Sequence, residues 1–147
     1  MSFYNLPITV ANGGPSPTSS EVRTFLAAGT ITAGQWVNFD YAKTGADKVV
    51  YVTVQDTSGG AIAIGVPVIG VAVTSTTAAN QEVQVCIAGY CPVAAVATGS
   101  TSGLALALDT TTSGRATIAD AANVNVCGVA LADAVSNSAP VLVYRQV

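Results

Sequence analysis

Two aspartates, Asp40 and Asp109, are the residues whose type and spacing best suit chemistry. Each follows an apolar stretch at an equivalent place in two similar halves of the sequence. If the halves met there, the two carboxylates could serve as general acid and general base in a hydrolase. The simpler interpretation is that each aspartate ends a strand and accepts backbone hydrogen bonds in the following turn. We favour the turn role and predict no catalytic residue.

Histidine and cysteine chemistry has little support in the sequence. The chain has no histidine, which removes the commonest general base, the usual activator of serine and cysteine nucleophiles, and the leading zinc ligand. The three cysteines, Cys86, Cys91 and Cys127, are odd in number and lack a metal-binding spacing. Apolar neighbours of Cys86 and Cys127 favour buried, inert thiols. A Cys86–Cys91 disulfide is the alternative.

Other motifs that would indicate a reaction or a cofactor are also missing from the sequence. No Gly-rich phosphate loop, HExxH or EF-hand pattern occurs. Trp36 and Tyr90 could form part of a carbohydrate platform, but single aromatic residues in β proteins are more often core or interface residues. We therefore predict that the protein is not an enzyme and holds neither a metal nor a cofactor.

The composition narrows the possible partners. Net charge is −3 with five Lys and Arg, so the chain lacks the basic patch that nucleic acid requires. No apolar run approaches the ~20 residues of a membrane-spanning helix. The first residues lack the features of a signal peptide, so we expect synthesis and retention in a cytosol. Only 9% of residues are charged and 50% are hydrophobic, so either neutral polar side chains hydrate the surface or much of it lies against a partner.

The chain divides into an arm and a β domain. Residues 1–20 are expected to form an extended N-terminal arm, because residues 12–17 (Asn-Gly-Gly-Pro-Ser-Pro) break both helix and strand. The apolar residues 3–10 before this break could be a disordered tail, a peptide that docks on a neighbour, or a strand of the chain's own sheet. Residues 21–147 are expected to form a single β domain.

Short strands separated by turns are predicted throughout that domain. Residues 36–40 and 49–54 flank a turn and indicate a hairpin. Residues 20–29 could form a helix, but their alternation favours a strand. Residues 104–108 (Leu-Ala-Leu-Ala-Leu) alternate strictly, which predicts a strand with three leucines on one face.

An internal repeat relates two halves, at about 27–90 and 97–147. Residues 70–73 (Gly-Val-Ala-Val) recur as residues 128–131 (Gly-Val-Ala-Leu), and at the same spacing residues 83–85 (Val-Gln-Val) recur as residues 141–143 (Val-Leu-Val). Upstream, residues 34–40 match residues 103–109 in the same order. One half has too few strands to bury a face alone, so the two must pack or close together. We predict an all-β fold: a compact β-sandwich or distorted β-barrel from two similar halves.

The motifs of the first half resemble a family of bacteriophage capsid decoration (cement) proteins, which are small and rich in Ala, Gly, Val and Thr. The resemblance is carried by Gly34-x-x-Val37-x-Phe39-Asp40, by residues 69–73 (Ile-Gly-Val-Ala-Val) and by residues 82–89 (Glu-Val-Gln-Val-Cys-Ile-Ala-Gly). The second half repeats it with Pro140 where the first has Glu82, so the acidic position is not shared. The resemblance extends over residues 27–145 and consists of common residue types.

The resemblance implies a β-rich structural protein on the outer capsid surface of a virion, synthesised in the host cytoplasm. Its partner would be the major capsid protein, and it would be a homo-oligomer, with a trimer favoured. Contacts to the capsid or to an adjacent protomer are expected from the apolar arm residues: Phe3, Tyr4, Leu6, Pro7 and Ile8. A host-surface or glycan-binding module of a phage tail or fibre, using loops around Tyr90 and Tyr144, is the alternative.

Overall fold

A computed structural model describes residues 20–56, 67–120 and 125–146. The strands of this part of the chain are β1 (Ser20–Ala27), β2 (Trp36–Phe39), β3 (Tyr51–Val54), β4 (Val68–Ala72), β5 (Glu82–Ala95), β6 (Ala105–Leu108), β7 (Ala116–Ile118), β8 (Val126–Ala130) and β9 (Ser138–Val143). A short 3-10 helix (Gly45–Val49) lies between β2 and β3. The all-β prediction is therefore confirmed, and residues 20–27 form a strand rather than a helix.

The first four strands and the start of β5 close into a five-stranded ring, here called barrel one. The strands pair in the order β1, β3, β2, β4 and β5, and β5 then pairs with β1. β1 and β3 are parallel, whereas the other neighbours are antiparallel. Closure leaves no open sheet edge in this ring, because every strand has a neighbour on both sides.

The remaining strands form a second ring of the same topology, here called barrel two. The end of β5 takes the place of β1, followed by β7, β6, β8 and β9. A parallel bridge between Val96 and Ala116 closes the ring, just as β1 and β3 pair in parallel in barrel one. The distorted barrel predicted from two similar halves is thus two barrels that share the 14-residue strand β5.

Equivalent residues occupy equivalent registers in the two barrels. Trp36 pairs with Val71 as Ala105 pairs with Val129, and each pairing is followed by an irregularity one residue later. One detail of the sequence alignment is wrong. Val73 donates to the carbonyl of Gln84, and Leu131 donates to the carbonyl of Pro140. Residues 141–143 therefore correspond to residues 85–87 and not to 83–85, because the turn after β4 is two residues longer.

Each barrel has its own apolar interior, and the interiors match position by position. In barrel one the buried side chains are Ala27, Ile31, Val37, Val52, Ile69, Ala72, Val83, Val85 and Ile87. In barrel two, eight of the nine corresponding positions are buried and apolar: Val96, Leu106, Ala116, Cys127, Ala130, Ala139, Val141 and Val143. The position that corresponds to Ile31 holds Ser100, which is buried but polar. The matched interiors explain why the repeat in the sequence consists of small and β-branched residues.

The leucine-rich strand differs from its prediction. Leu106 and Leu108 are buried, but Leu104 lies just before β6 and is 42% exposed. The register of β6 against β8 shifts between Leu106 and Ala107. This shift lies beyond Leu106, and Leu104 is exposed because it precedes the first residue of the strand, Ala105.

Candidate functional site

The two aspartates singled out from the sequence each stabilise a turn. Asp40 Oδ1 accepts a hydrogen bond from the backbone of Ala42, and Asp109 Oδ1 accepts one from the backbone of Thr111. Their own backbone N–H groups donate to Tyr51 and Arg115 at the same place in the two barrels. The turn role predicted for both residues is confirmed.

Asp109 is further engaged by charged and hydroxyl groups. Its Oδ2 accepts a bond of 2.6 Å from Arg115 Nε, with Arg115 Nη2 at 2.5 Å, and its Oδ1 accepts one of 2.7 Å from Thr111 Oγ1. Burial alone would raise the pKa of this carboxyl, but the bonds from Thr111 and the charge of Arg115 outweigh it and lower the pKa. A carboxylate held ionised by this many donors is poorly suited to act as a general acid.

Replacing Asp109 with asparagine should destabilise the fold by about 1–3 kcal/mol at neutral pH, because charge-assisted bonds are lost. The folded pKa lies below the unfolded value of about 3.9, so the stabilisation is complete above that value and is lost as pH falls through the folded pKa. Urea unfolding between about pH 6 and about pH 2 should show that the difference in unfolding free energy between wild type and Asp109→Asn becomes smaller as the pH falls. The matched control is Asp40→Asn, because Asp40 accepts a single turn bond from Ala42. An equal loss in both variants would contradict the role given to Arg115.

The three cysteines are free thiols and all are buried, as the favoured sequence interpretation predicts. Cys86 and Cys91 share a hydrogen bond, which lowers the pKa of Cys86 to about 7 and, with burial, raises that of Cys91. Burial raises the pKa of Cys127 to about 12. Cys86 is only 1% exposed, so its lowered pKa does not make it an accessible nucleophile.

Trp36 lies in the interface between the two barrels, here called the seam, and not in a carbohydrate platform. Its side chain is completely buried, and its Nε1 donates a 3.0 Å hydrogen bond to the carbonyl of Ala95 in β5. The turn before β7 adds further bonds, since Trp36 N donates to Gly114 O and Gly114 N donates to Gln55 O. The buried apolar cluster of barrel two also takes in Val68, Val71 and Cys86 from the outside of barrel one.

Barrel two has an apolar row that corresponds to the row of barrel one in which Trp36 lies, where every member except the 44% exposed Val22 is buried. In barrel one the row across the sheet is Val22, Cys86, Val71 and Trp36, joined by direct pairing. In barrel two the row is Tyr90, Leu142, Val129 and Ala105, here called the barrel-two row. Its members are half-buried or exposed, and Leu142 reaches 40% exposure. Sequence reasoning missed this face, because only the pairing register brings its members together.

Tyr90 and Tyr144 were predicted to lie in loops, and this is wrong for Tyr90, which lies inside β5. Tyr90 pairs with Leu142, two residues before the 39% exposed Tyr144. Beside them is a shallow, open depression of ≈ 310 Å³, lined by Ser20, Glu21, Ala88 and Gly89.

Apolar side chains are common on the surface of the described residues. The following are each at least 39% exposed: Val22, Tyr41, Val49, Val50, Val73, Val93, Leu104, Leu131, Val135, Leu142 and Tyr144. These eleven compare with thirteen charged residues in the whole chain, five basic and eight acidic. The described surface therefore carries nearly as many exposed large apolar side chains as the whole chain has charged residues.

The predicted capsid-contact residues, Phe3, Tyr4, Leu6, Pro7 and Ile8, lie outside the described residues. Within the described ranges, no group of three or more His, Cys, Asp or Glu side chains could hold a metal ion. The same part of the chain contains no helix with the length and hydropathy needed to cross a bilayer. No protein-family model matches the sequence, and no curated protein matches it.

Proposed function

We propose that this chain is a structural decoration (cement) protein, which binds the outer surface of a phage head and stabilises the contacts between major capsid subunits. The observation that carries the proposal is the apolar, charge-poor surface of a closed double barrel. Adhesion requires contact area and complementarity, and both are available from such a surface without any reaction chemistry. The resemblance of residues 27–145 to capsid cement proteins points to the same role.

The barrels would act as a rigid body and the arm as the adhesive. A specific protein interface buries roughly 1,200–2,000 Å² in total. An extended peptide that adds apolar side chains and backbone bonds supplies such area with few residues. In this proposal Phe3, Tyr4, Leu6, Pro7 and Ile8 contact the capsid or an adjacent protomer. The partners are the major capsid protein and further copies of this chain, with a trimer favoured, and the location is the outside of the virion.

Deleting residues 1–17 should abolish binding to heads that lack this protein while the barrels stay folded. The reason is that β1 begins at Ser20, so the deletion removes the apolar residues 3–10 and leaves every described strand intact. Co-sedimentation with empty heads measures binding, and thermal unfolding of the free chain measures the fold. A matched control keeps the arm length but replaces Phe3, Leu6 and Ile8 with serine. Undiminished binding by either variant would refute the role of the arm.

A host-surface module of a tail or fibre is the second candidate, and one observation favours it. Tyr90 and Tyr144 lie near each other on one face of barrel two, beside a shallow depression. Aromatic rings on an open surface can stack on sugar rings. Glycan-array binding without capsid protein that is lost in Tyr144→Ala would support this candidate over the capsid. Binding to heads with an empty array result would exclude it.

A further inference from the structure

The seam between the barrels shows how this fold covers an outward apolar row. Trp36, Val71 and Cys86 point away from the interior of barrel one, yet all three are at most 1% exposed because barrel two lies over them. Pairing partners in an antiparallel sheet point to the same side, so these side chains form one continuous strip. The chain therefore covers the strip with its own residues.

The barrel-two row is the same strip of the second barrel, and no described residue covers it to that extent. Ala105, Val129 and Tyr90 are half-buried, and Leu142 is 40% exposed. Leu104, Leu131 and Tyr144 add exposed apolar surface beside it. None of these side chains carries a charge at neutral pH. A segment that covers the barrel-two row should therefore be apolar and uncharged.

The described chain begins at the border of this row. Ser20, its first residue, pairs with Gly89, and Gly89 pairs on its other side with Val143. The next pair along β5 and β9 is Tyr90 with Leu142, two members of the row. The depression at Ser20 and Gly89 lies at the same place. The residues that precede Ser20 thus start next to the row.

The preceding segment has the composition and length to cover the row. Residues 1–19 contain no Asp, Glu, Lys or Arg, and residues 3–10 are mostly apolar. Eight extended residues span up to ~26 Å, at ~3.3 Å each. Four strands spaced ~4.8 Å apart place the ends of the row ~15 Å from each other. The nine residues between Val10 and Ser20 include the turn-forming residues 12–14, which allow the chain to reverse.

We propose that, in the free chain, residues 3–10 lie on the barrel-two row of the same molecule. Docking within one chain is favoured because a short linker gives an effective concentration in the millimolar range. This inference goes beyond the proposed function, since it concerns the unassembled protein and needs no capsid. In this state the row shields the uncharged arm from water before assembly. A partner that binds the arm must first displace the arm from the row.

A cysteine at Leu142 makes the proposal testable, because the native Cys86, Cys91 and Cys127 are at most 2% exposed. In Leu142→Cys, deleting residues 1–17 should raise the rate of modification by a maleimide reagent about tenfold or more. The matched control is Val135→Cys, which is 70% exposed and lies outside the row, and its rate should not depend on the arm. Tyr144→Cys, two residues after Leu142 and 39% exposed, provides a second position if Leu142→Cys folds poorly.

Two outcomes would overturn the proposal. If deletion leaves the rate at Leu142→Cys unchanged, nothing in the arm covers the row. If the protection falls on dilution, in parallel with the mass measured by sedimentation, the arm comes from a neighbouring copy and not from the same chain. Since the assay contains no heads, its result is independent of the capsid-binding test and can fail while that test succeeds.

Discussion

Alanine at Gly70 or at Gly128 is expected to destabilise the protein by about 3 kcal/mol or more. The two glycines are equivalent, each in the fourth strand of its barrel. A Cβ at Gly70 would overlap the backbone carbonyl of Cys86, and one at Gly128 would overlap that of Leu142. Backbone of a paired strand cannot move aside as a flexible side chain can, so the strands must separate. The midpoint temperature of thermal unfolding should fall by roughly 10 °C.

Gly29→Ala is the matched control for these substitutions. No atom lies within 4 Å of a Cβ built at Gly29, so its effect should stay within about 0.5 kcal/mol. If Gly70→Ala or Gly128→Ala expresses only as insoluble protein, its soluble yield against Gly29→Ala gives the comparison. Equal stability of Gly70→Ala and Gly29→Ala would show that the close approach of β4 to β5 is not needed.

Truncating Trp36 to alanine should cost about 3–5 kcal/mol, the second of the two largest effects. The side chain is fully buried, it donates to Ala95 O, and it lies against Gly128 of the other barrel. The cavity would open in the seam, so both barrels should unfold together at a lower urea concentration than in the wild type. Urea unfolding followed by circular dichroism measures the loss of stability. The slope of the transition, compared with that of the wild type, shows whether the barrels still unfold together.

Two further variants test whether the seam is the cause. Trp36→Phe keeps most of the apolar volume but loses the bond to Ala95, so a loss of about 1–2 kcal/mol is expected. Leu142→Ala removes apolar volume from the barrel-two row, outside the contact between the barrels, where about 1 kcal/mol or less is expected. A loss in Trp36→Ala no greater than that in Leu142→Ala would mean that the seam contributes little to stability.

Much of the fold could be predicted because its signals are local. The hairpin around residues 36–54, the strand at 20–27 and the turn role of Asp40 and Asp109 all follow from alternation and turn chemistry within a few residues. The repeat was visible because both barrels need small side chains in the same interior positions.

The length of β5 could not be predicted from the same signals. Gly89 and Pro92 indicate breaks in a strand, yet β5 continues from Glu82 to Ala95. Gly89 adopts φ 87°, and the register against β9 shifts between Cys91 and Ala94, so the strand bends instead of ending. Its pairing with β1 and β4 over the first part and with β9 over the last part holds it extended, and β1 and β9 are distant in sequence.

The candidate site was predicted least well, because a face depends on register. Leu142, Val129 and Ala105 are unremarkable residues in three separate segments, and pairing alone places them in one row. Tyr90 was noted for its aromatic ring, but the sequence could not show that it lies within a strand. The arm residues Phe3, Tyr4, Leu6, Pro7 and Ile8 remain a prediction.

Sharing β5 has a consequence for how the molecule can be divided. Cutting the chain after Ala88 would leave each ring its own stretch of β5 but would expose the buried contact between the rings at Trp36, Val71 and Cys86. Cutting it after Ala95 would take from the second ring the residues that pair with β9 and leave them on the first ring as an unpaired tail. Neither half is therefore a portable module that could be expressed, shuffled or grafted by itself. The chain is expected to denature in one cooperative transition, with a continuous covalent tie running through both rings.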